Sequence, residues 1–402
     1  MSARFTETTS RSWFSRITGA FGGIVTGFLL VIVACGALFW NEGRAVKLER
    51  TLTEGAGAVV SVDAARPDSA NDGRLVHISG PVRVGAPPAD PLFSGLALPI
   101  NTIRLVRHVE MYQWKEESKR ETRNKIGGGT QKVTTYSYSR DWSSGPIDSS
   151  NFRKPEEHEN PDLAVSQNSA TSKSAAVGAF QFPGRILAGV GTAETLPANE
   201  IPLAGLEQFL GDSFKVQTSA GKIYVGANPA APAIGDLKIT LTASVVDEAS
   251  VVGMQQDDRL IPYNASNGNE IFLTAAGNKT AADMFETVKS ANVTKTWIIR
   301  GVGTLAILIG FRLMFSIVGV LGDVIPAIGD VFRFATGLAS LALTFVLAPL
   351  VMSIAWIVYR PVLGLTILLA GLLISAAFLY IGKSRVSARN TSTSTSSPAS
   401  PV

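Results

Sequence analysis

The sequence predicts a membrane protein of α+β class: four transmembrane helices, one N-terminal and three C-terminal, flanking a large β-rich extracytoplasmic domain. Three observations point there. Hydrophobic residues make up 46% of the 402, yet they pile up near the N-terminus and in the last quarter. The run from Ile17 to Trp40 carries no charge, and a helix of that length reaches roughly 36 Å, more than the hydrocarbon core of a bilayer. The middle of the chain alternates apolar and polar residues with the period of half-buried strands.

Composition removes several classes of function. The net charge is only +4, and no basic stripe with interleaved stacking aromatics occurs, so nucleic acid is not an expected partner. Cys35 is the one cysteine and lies inside an apolar run. No intramolecular disulfide can form, and the domain must hold together by burial of its core.

Residues 1–16 read as a cytoplasmic tail and 17–40 as the first span. Arg4, Arg11 and Arg16 face only Glu7 before the apolar run, which favours a cytoplasmic N-terminus. The run is longer than the apolar region of a cleaved signal peptide and continues past Cys35 through Phe39 and Trp40. The stretch "IVAC", Ile32 to Cys35, resembles a bacterial lipobox, but the apolar residues on both sides favour an uncleaved anchor over lipidation. Gly19, Gly22, Gly23 and Gly27 offer small faces for a close helix neighbour. In the junction Trp40-Asn41-Glu42-Gly43-Arg44, Trp40 marks the interface, and Glu42, Arg44 and Lys47 begin the wet side, where a domain of residues 41–296 follows.

Three more spans follow it: 297–322, then a cytoplasmic loop 323–333, then 334–359 and 361–381. Trp297 opens the second span at an interface, and Arg300 lies close enough to that interface to snorkel. Arg312 is deeper. It is either a functional residue with Asp323 or Asp330 as distant partners, or a residue of a short span that snorkels to the cytoplasmic headgroups. Tyr359-Arg360-Pro361 makes a tight hairpin between the last two spans, with Pro361 suited to the first turn of the next helix. Pro349 predicts a kink in the span before it. Lys383, Arg385 and Arg389 place the C-terminus on the side of the N-terminus, and the Ser/Thr-rich tail, 382–402, has the composition of a disordered segment.

Within the middle domain, "LKITLTASV" alternates Leu237, Ile239 and Leu241 with polar residues, and "RLVHISGPVRV" does the same around Gly80-Pro81. A long hairpin is expected from "TIRLVRHVEMYQWKEE" and "QKVTTYSYSRDW", in which Tyr112 and Trp114 meet Tyr136, Tyr138 or Trp142 across the strands. "LAGLEQFL" is a short helix, and "TAADMFETVKSANVTKTW", with Thr280 as its cap, leads directly into the second span.

No catalytic, cofactor-binding or metal-binding constellation emerges. His108 and Glu110 share a strand face, while His158 sits in "EEHE" and reads as part of a solvated acidic loop. No paired-His metal spacing, nucleophile elbow or Walker loop is present. "GGGTQK" lacks the Lys-Ser/Thr ending of a phosphate loop and precedes a strand, so it reads as a hairpin tip.

Several phrases, among them "FWNEGRAV", "RLVRHVEMYQWKEE", "YSYSRDW", "SSNFRKPEEHENP", "GDLKITL" and "YRP", resemble the LUMA family, also called the transmembrane protein 43 family. The resemblance runs in order over about residues 19–383, weakest from Thr171 to Ala227 and past Arg389. It implies four spans with a large lumenal domain between the first and second. Eukaryotic members reside in the endoplasmic reticulum and inner nuclear membrane, self-associate and bind membrane and lamina proteins. The Ala- and Gly-rich composition looks bacterial, which moves the expected location to a cytoplasmic membrane with a periplasmic domain. The expected role is a non-enzymatic scaffold that self-associates and organises membrane proteins or lipids. The alternative is a lipid- or ligand-handling protein with a juxtamembrane pocket in its extracytoplasmic domain.

Overall fold

The computed structural model describes residues 4–125, 129–362 and 366. Its principal elements in chain order are β1 (Arg4–Arg11), α1 (Trp13–Ala58), β2 (Leu75–Val84), β3 (Thr102–Asn124), β4 (Thr130–Ser143), β5 (Leu237–Val245), β6 (Glu248–Gln256), α2 (Ala281–Gly322) and α3 (Pro326–Tyr359). Two units result. One is the β-rich domain, Leu48–Ala291 together with the N-terminal residues through Trp13; the other is a helical unit of Phe14–Lys47 and the chain from Asn292 onward.

The alternation in β5 buries Leu237, Ile239, Leu241 and Ala243 on one face, with Lys238, Thr240 and Thr242 on the other. It pairs antiparallel with β3, setting Ile239 opposite Val109 and Leu237 opposite Met111. Arg107 takes an inward position of the same apolar row. Its Nη1 donates to Asp90 at 2.6 Å and its Nε to the Ser166 carbonyl, so the buried guanidinium is paired. Asp90 and the loop after it cover that core, which continues onto Leu196, Ile201 and Leu206.

The expected hairpin of β3 and β4 forms in continuous register, and Tyr112 lies opposite Trp142 with ring centroids 5.3 Å apart. Lys125 N–H donates to the Gly129 carbonyl; Gly127 and Gly128, expected at the hairpin tip, lie outside the described residues. The N-terminal residues, expected as a tail, form β1 on the free edge of β4, from Arg4 opposite Ser137 to Arg11 opposite Thr130. The stretch Phe5-Thr6-Glu7-Thr8-Thr9 has the β-branched and aromatic content that suits a pleated edge.

The second sheet closes on itself. β2 pairs with β6, β6 with Arg259–Ile261, that strand with Phe180–Pro183, that in turn with Ser174–Val177, and the last with β2 again. A five-stranded barrel results, filled by Ile78, Val82, Val177, Phe180, Val251 and their neighbours. Closure leaves the ring no unpaired edge.

Thr280 caps α2 as expected: its hydroxyl accepts from Asp283 N–H at 3.2 Å and donates to the Asp283 carboxylate at 2.8 Å. The helix then runs unbroken to Gly322. α3 starts at Pro326, whose missing N–H suits a first turn, so most of the segment expected as loop 323–333 is helical. α1, α2 and α3 are each long and apolar enough to cross a bilayer. Of the fourth expected span only Pro361, Val362 and Thr366 are described; the rest of 361–381 and the tail lie outside the described residues.

In the helical unit, Gly27 of α1 and Gly310 of α2 bring two backbones together. A Cβ at Gly27 would lie 2.5 Å from the Gly310 carbonyl oxygen, and one at Gly310 would lie 2.6 Å from Val31. This is the close approach that small residues permit between apolar helices. Leu38, Ile307 and Ala348, one from each helix, are buried at the centre.

Candidate functional site

The stretch Trp40 to Arg44 lies on α1, where side chains three or four residues apart share a face. Glu42 turns inward, with only 3% of its side chain exposed. Its two oxygens accept from Arg300 of α2, Nε to Oε1 and Nη2 to Oε2, both at 2.7 Å. The indole N–H of Trp356, on α3, donates to the same carboxylate at 2.8 Å. The Arg300 guanidinium also lies over the rings of Trp297 and Trp356, 4.7 and 5.6 Å from their centroids. One carboxylate therefore joins three helices through a bidentate charge-assisted pair and a third donor.

The neighbouring residues complete this clamp. Asn41 donates to the Thr296 carbonyl, and Arg44 donates to Asn292, Asn41 and Thr296 at 2.9, 3.2 and 3.1 Å. Asn292 returns a bond to the Ala45 carbonyl. Gly43 is required by Tyr359 of α3, since a Cβ there would lie 2.5 Å from the ring. Arg360 ends α3, its backbone N–H donating to the Trp356 carbonyl. Pro361 and Val362 are helical, and most of the span expected to follow lies outside the described residues. Trp40 and Trp297 remain 60% and 64% exposed.

Arg300 thus holds a carboxylate instead of snorkelling alone, with its side chain 16% exposed. Trp356, Asn292 and Thr296 were not singled out from sequence. The available signal was weak: an indole four residues before Arg360 near the end of an uncharged span.

A second polar node lies farther along the helices. Asp323, fully buried, accepts from Arg16 at 2.5 Å and from Arg333, which also donates to Asp330. The two carboxylates expected to partner Arg312 are taken by these other arginines. Among the described residues Arg312 has no hydrogen bond or ion pair, and it lines a cavity with Arg16 and Arg333.

The remaining motif residues are in the domain. His108 is exposed beside Thr240, and Glu110 pairs with Lys222 at 2.8 Å. Trp114 N–H donates to Asn160 Oδ1 at 2.7 Å, and Asn160 returns a bond to the Trp114 carbonyl, so the 149–161 segment docks on β3 as a strand would. His158 is not part of a solvated loop. It is 3% exposed, stacked 3.7 Å from the Tyr138 ring and edge-on to Trp114 at 4.7 Å, and its Nδ1–H donates to the Lys154 carbonyl. Glu156, Glu157 and Glu159 around it stay exposed, which disguises the ring in the sequence. Among the described residues no group of three His, Cys, Asp or Glu side chains is placed to hold a metal ion.

Long apolar helices tied by buried ion pairs, with a β-rich domain between the first and second, define a multi-pass membrane protein of α+β class. The family model described as Transmembrane protein 43 matches residues 111–361. Human Transmembrane protein 43 is 30% identical over 399 residues, covering 95% of each chain. The mouse protein is 30% identical over 90% of this chain and 93% of its own. The Drosophila melanogaster homolog is 30% identical over 86% and 91%. This chain belongs to the transmembrane protein 43 family. No solved structure is significantly similar to it.

Proposed function

We propose that this protein is a non-enzymatic membrane scaffold that self-associates and organises membrane proteins or lipids around it. The observation that carries the reading is the use made of the two buried carboxylates of the helical unit. Glu42 and Asp323 each tie helices together, to Arg300 in one case and to Arg16 and Arg333 in the other. A carboxylate so occupied by donors is an acceptor only, suited to holding a bundle and not to shuttling protons. In this reading both termini face the cytoplasm, and the domain stands on the far side of a bacterial cytoplasmic membrane, or in the lumen of a eukaryotic one. Cross-linking in intact membranes followed by mass spectrometry tests it. Self-links and a recurrent set of linked membrane proteins are expected. A protein that is monomeric and links to no other protein refutes the scaffold.

A lipid-handling role is the second reading. A groove of about 570 Å³ between α2 and α3, lined by Trp297, Leu305, Leu341, Phe345 and Trp356 with Arg300 at its edge, favours it. Its size and apolar lining suit an acyl chain. A lipid retained stoichiometrically through purification, lost on Leu341→Trp, supports this role over the scaffold.

A further inference from the structure

We infer that the cavity between Arg16, Arg312 and Arg333 is a binding site for a phosphate group. The site draws on all three described helices and encloses about 420 Å³. Arg16 comes from α1, Arg312 from α2 and Arg333 from α3. Three guanidinium groups therefore face one space, against a single fully buried carboxylate, Asp323. Asp330, the other acid on Arg333, is 74% exposed and dissipates its charge in solvent.

The balance is unfavourable without an anion. Asp323 is occupied by Arg16 and Arg333, and among the described residues Arg312 finds no acceptor. Arg312 is exposed on the helical unit, and within a membrane a guanidinium without an acceptor is costly. Among the described residues none of the hydroxyls that line the cavity accepts from Arg312; Ser316, Thr336 and Ser340 each donate to a carbonyl of their own helix.

The packing makes room for the arginines. A Cβ on Gly337 of α3 would lie 3.0 Å from Arg312 Nη2, and one on Gly319 of α2 would lie 2.9 Å from Arg333 Cγ. Each of two facing helices thus places a glycine where the other's arginine passes. A phosphate matches what results: planar, forked donors recognise its oxygens in pairs, and one or two negative charges offset the surplus. The group comes either from the headgroup of an anionic phospholipid or from free phosphate. This inference does not depend on the scaffold reading.

The test uses the full-length protein in nanodiscs. One arm compares phosphatidylglycerol with phosphatidylcholine nanodiscs, reading retained lipid by native mass spectrometry and the thermal unfolding midpoint. The other adds inorganic phosphate to protein in phosphatidylcholine. The wild type is expected to retain phosphatidylglycerol preferentially, or to be stabilised by free phosphate. Arg312→Gln should weaken the responsive arm by about tenfold or more, the loss of one charge-assisted contact. Gly337→Leu keeps Arg312 but fills its space and should weaken it equally. Arg259→Gln, in the domain, should change nothing. A response to the lipid alone assigns a headgroup site; a response to phosphate alone assigns a soluble anion. No response in either arm, or responses that survive both Arg312→Gln and Gly337→Leu in folded protein, would overturn the inference.

Discussion

Glu42→Ala is the most informative single change, because it removes an acceptor that donors on α2 and α3 share. It leaves Arg300 against two indole rings with no carboxylate, and Trp356 without its acceptor. The Arg300 side chain is 16% exposed, so little solvent is available to replace the lost oxygens. Breaking a buried pair from one side costs about 3–5 kcal/mol, most of it the penalty of an uncompensated charge. Arg300→Met should cost a similar amount by stranding Glu42. The double variant Glu42→Leu/Arg300→Met removes both charges and should lose much less than the sum. The assay is equilibrium unfolding in mixed micelles, followed by tryptophan fluorescence, arranged as a double-mutant cycle with Glu42→Leu and Arg300→Met as the singles. A coupling smaller than about 0.5 kcal/mol would refute the clamp, since independent sites add within that margin.

Three further outcomes follow from other contacts. Gly27→Leu should lower the unfolding midpoint of the helical unit through overpacking of about 1–3 kcal/mol, while Gly22→Leu, where nothing lies within 4 Å, should be silent; the same micelle assay distinguishes them. Asp90→Ala strands the buried Arg107 and should destabilise the domain by about 3–5 kcal/mol, measurable by thermal unfolding and by protease cleavage of the 85–101 loop. Burial holds the His77 imidazole below its ordinary pKa, with Nε2–H donating to the Lys279 carbonyl and Nδ1 accepting from Ser61. Its neutral form is therefore favoured on folding: the contribution is present above the unfolded value of about 6.5 and is lost as pH falls through the lower folded one. Domain stability should fall as pH drops from about 6.5 down to that lower value in the wild type and much less in His77→Gln, with an NMR titration of the ring as the direct check.

Much of the domain was legible because strand alternation is a local property. The faces of β5 and the register of Tyr112 against Trp142 follow from period-two patterning, and the Thr280 cap from residue types three apart. The Trp40–Arg44 stretch stood out in the sequence as a junction, but its chemistry did not. Nothing local announces that Glu42 meets an arginine 258 residues away. Barrel closure was hidden for the same reason, since its last link is one parallel bridge between Arg259 and Gln181. His158 was misplaced because three exposed glutamates around it set the local charge pattern while one aromatic ring went inward.

Strand β1 bears directly on the central claim, that the Ile17–Trp40 run crosses a bilayer with the domain on the far side. Pairing with β4 keeps residues 4–11 on the domain's sheet, so in a membrane pairing and crossing exclude each other. The energies decide between them. Eight paired residues contribute about 0.5–1.5 kcal/mol per hydrogen bond net of water. Each Leu, Ile, Val or Phe of the run contributes about 1.5–3 kcal/mol when taken from water, and twelve of the run's 24 residues are of these types. These magnitudes favour crossing over the β1–β4 pairing as the expected outcome. The measurement is labelling of single cysteines at Thr8 and Ser213, in a Cys35→Ala background, with an impermeant maleimide on sealed spheroplasts. The account predicts that Ser213→Cys labels from outside and Thr8→Cys only after permeabilisation; labelling of both from the same side would contradict it.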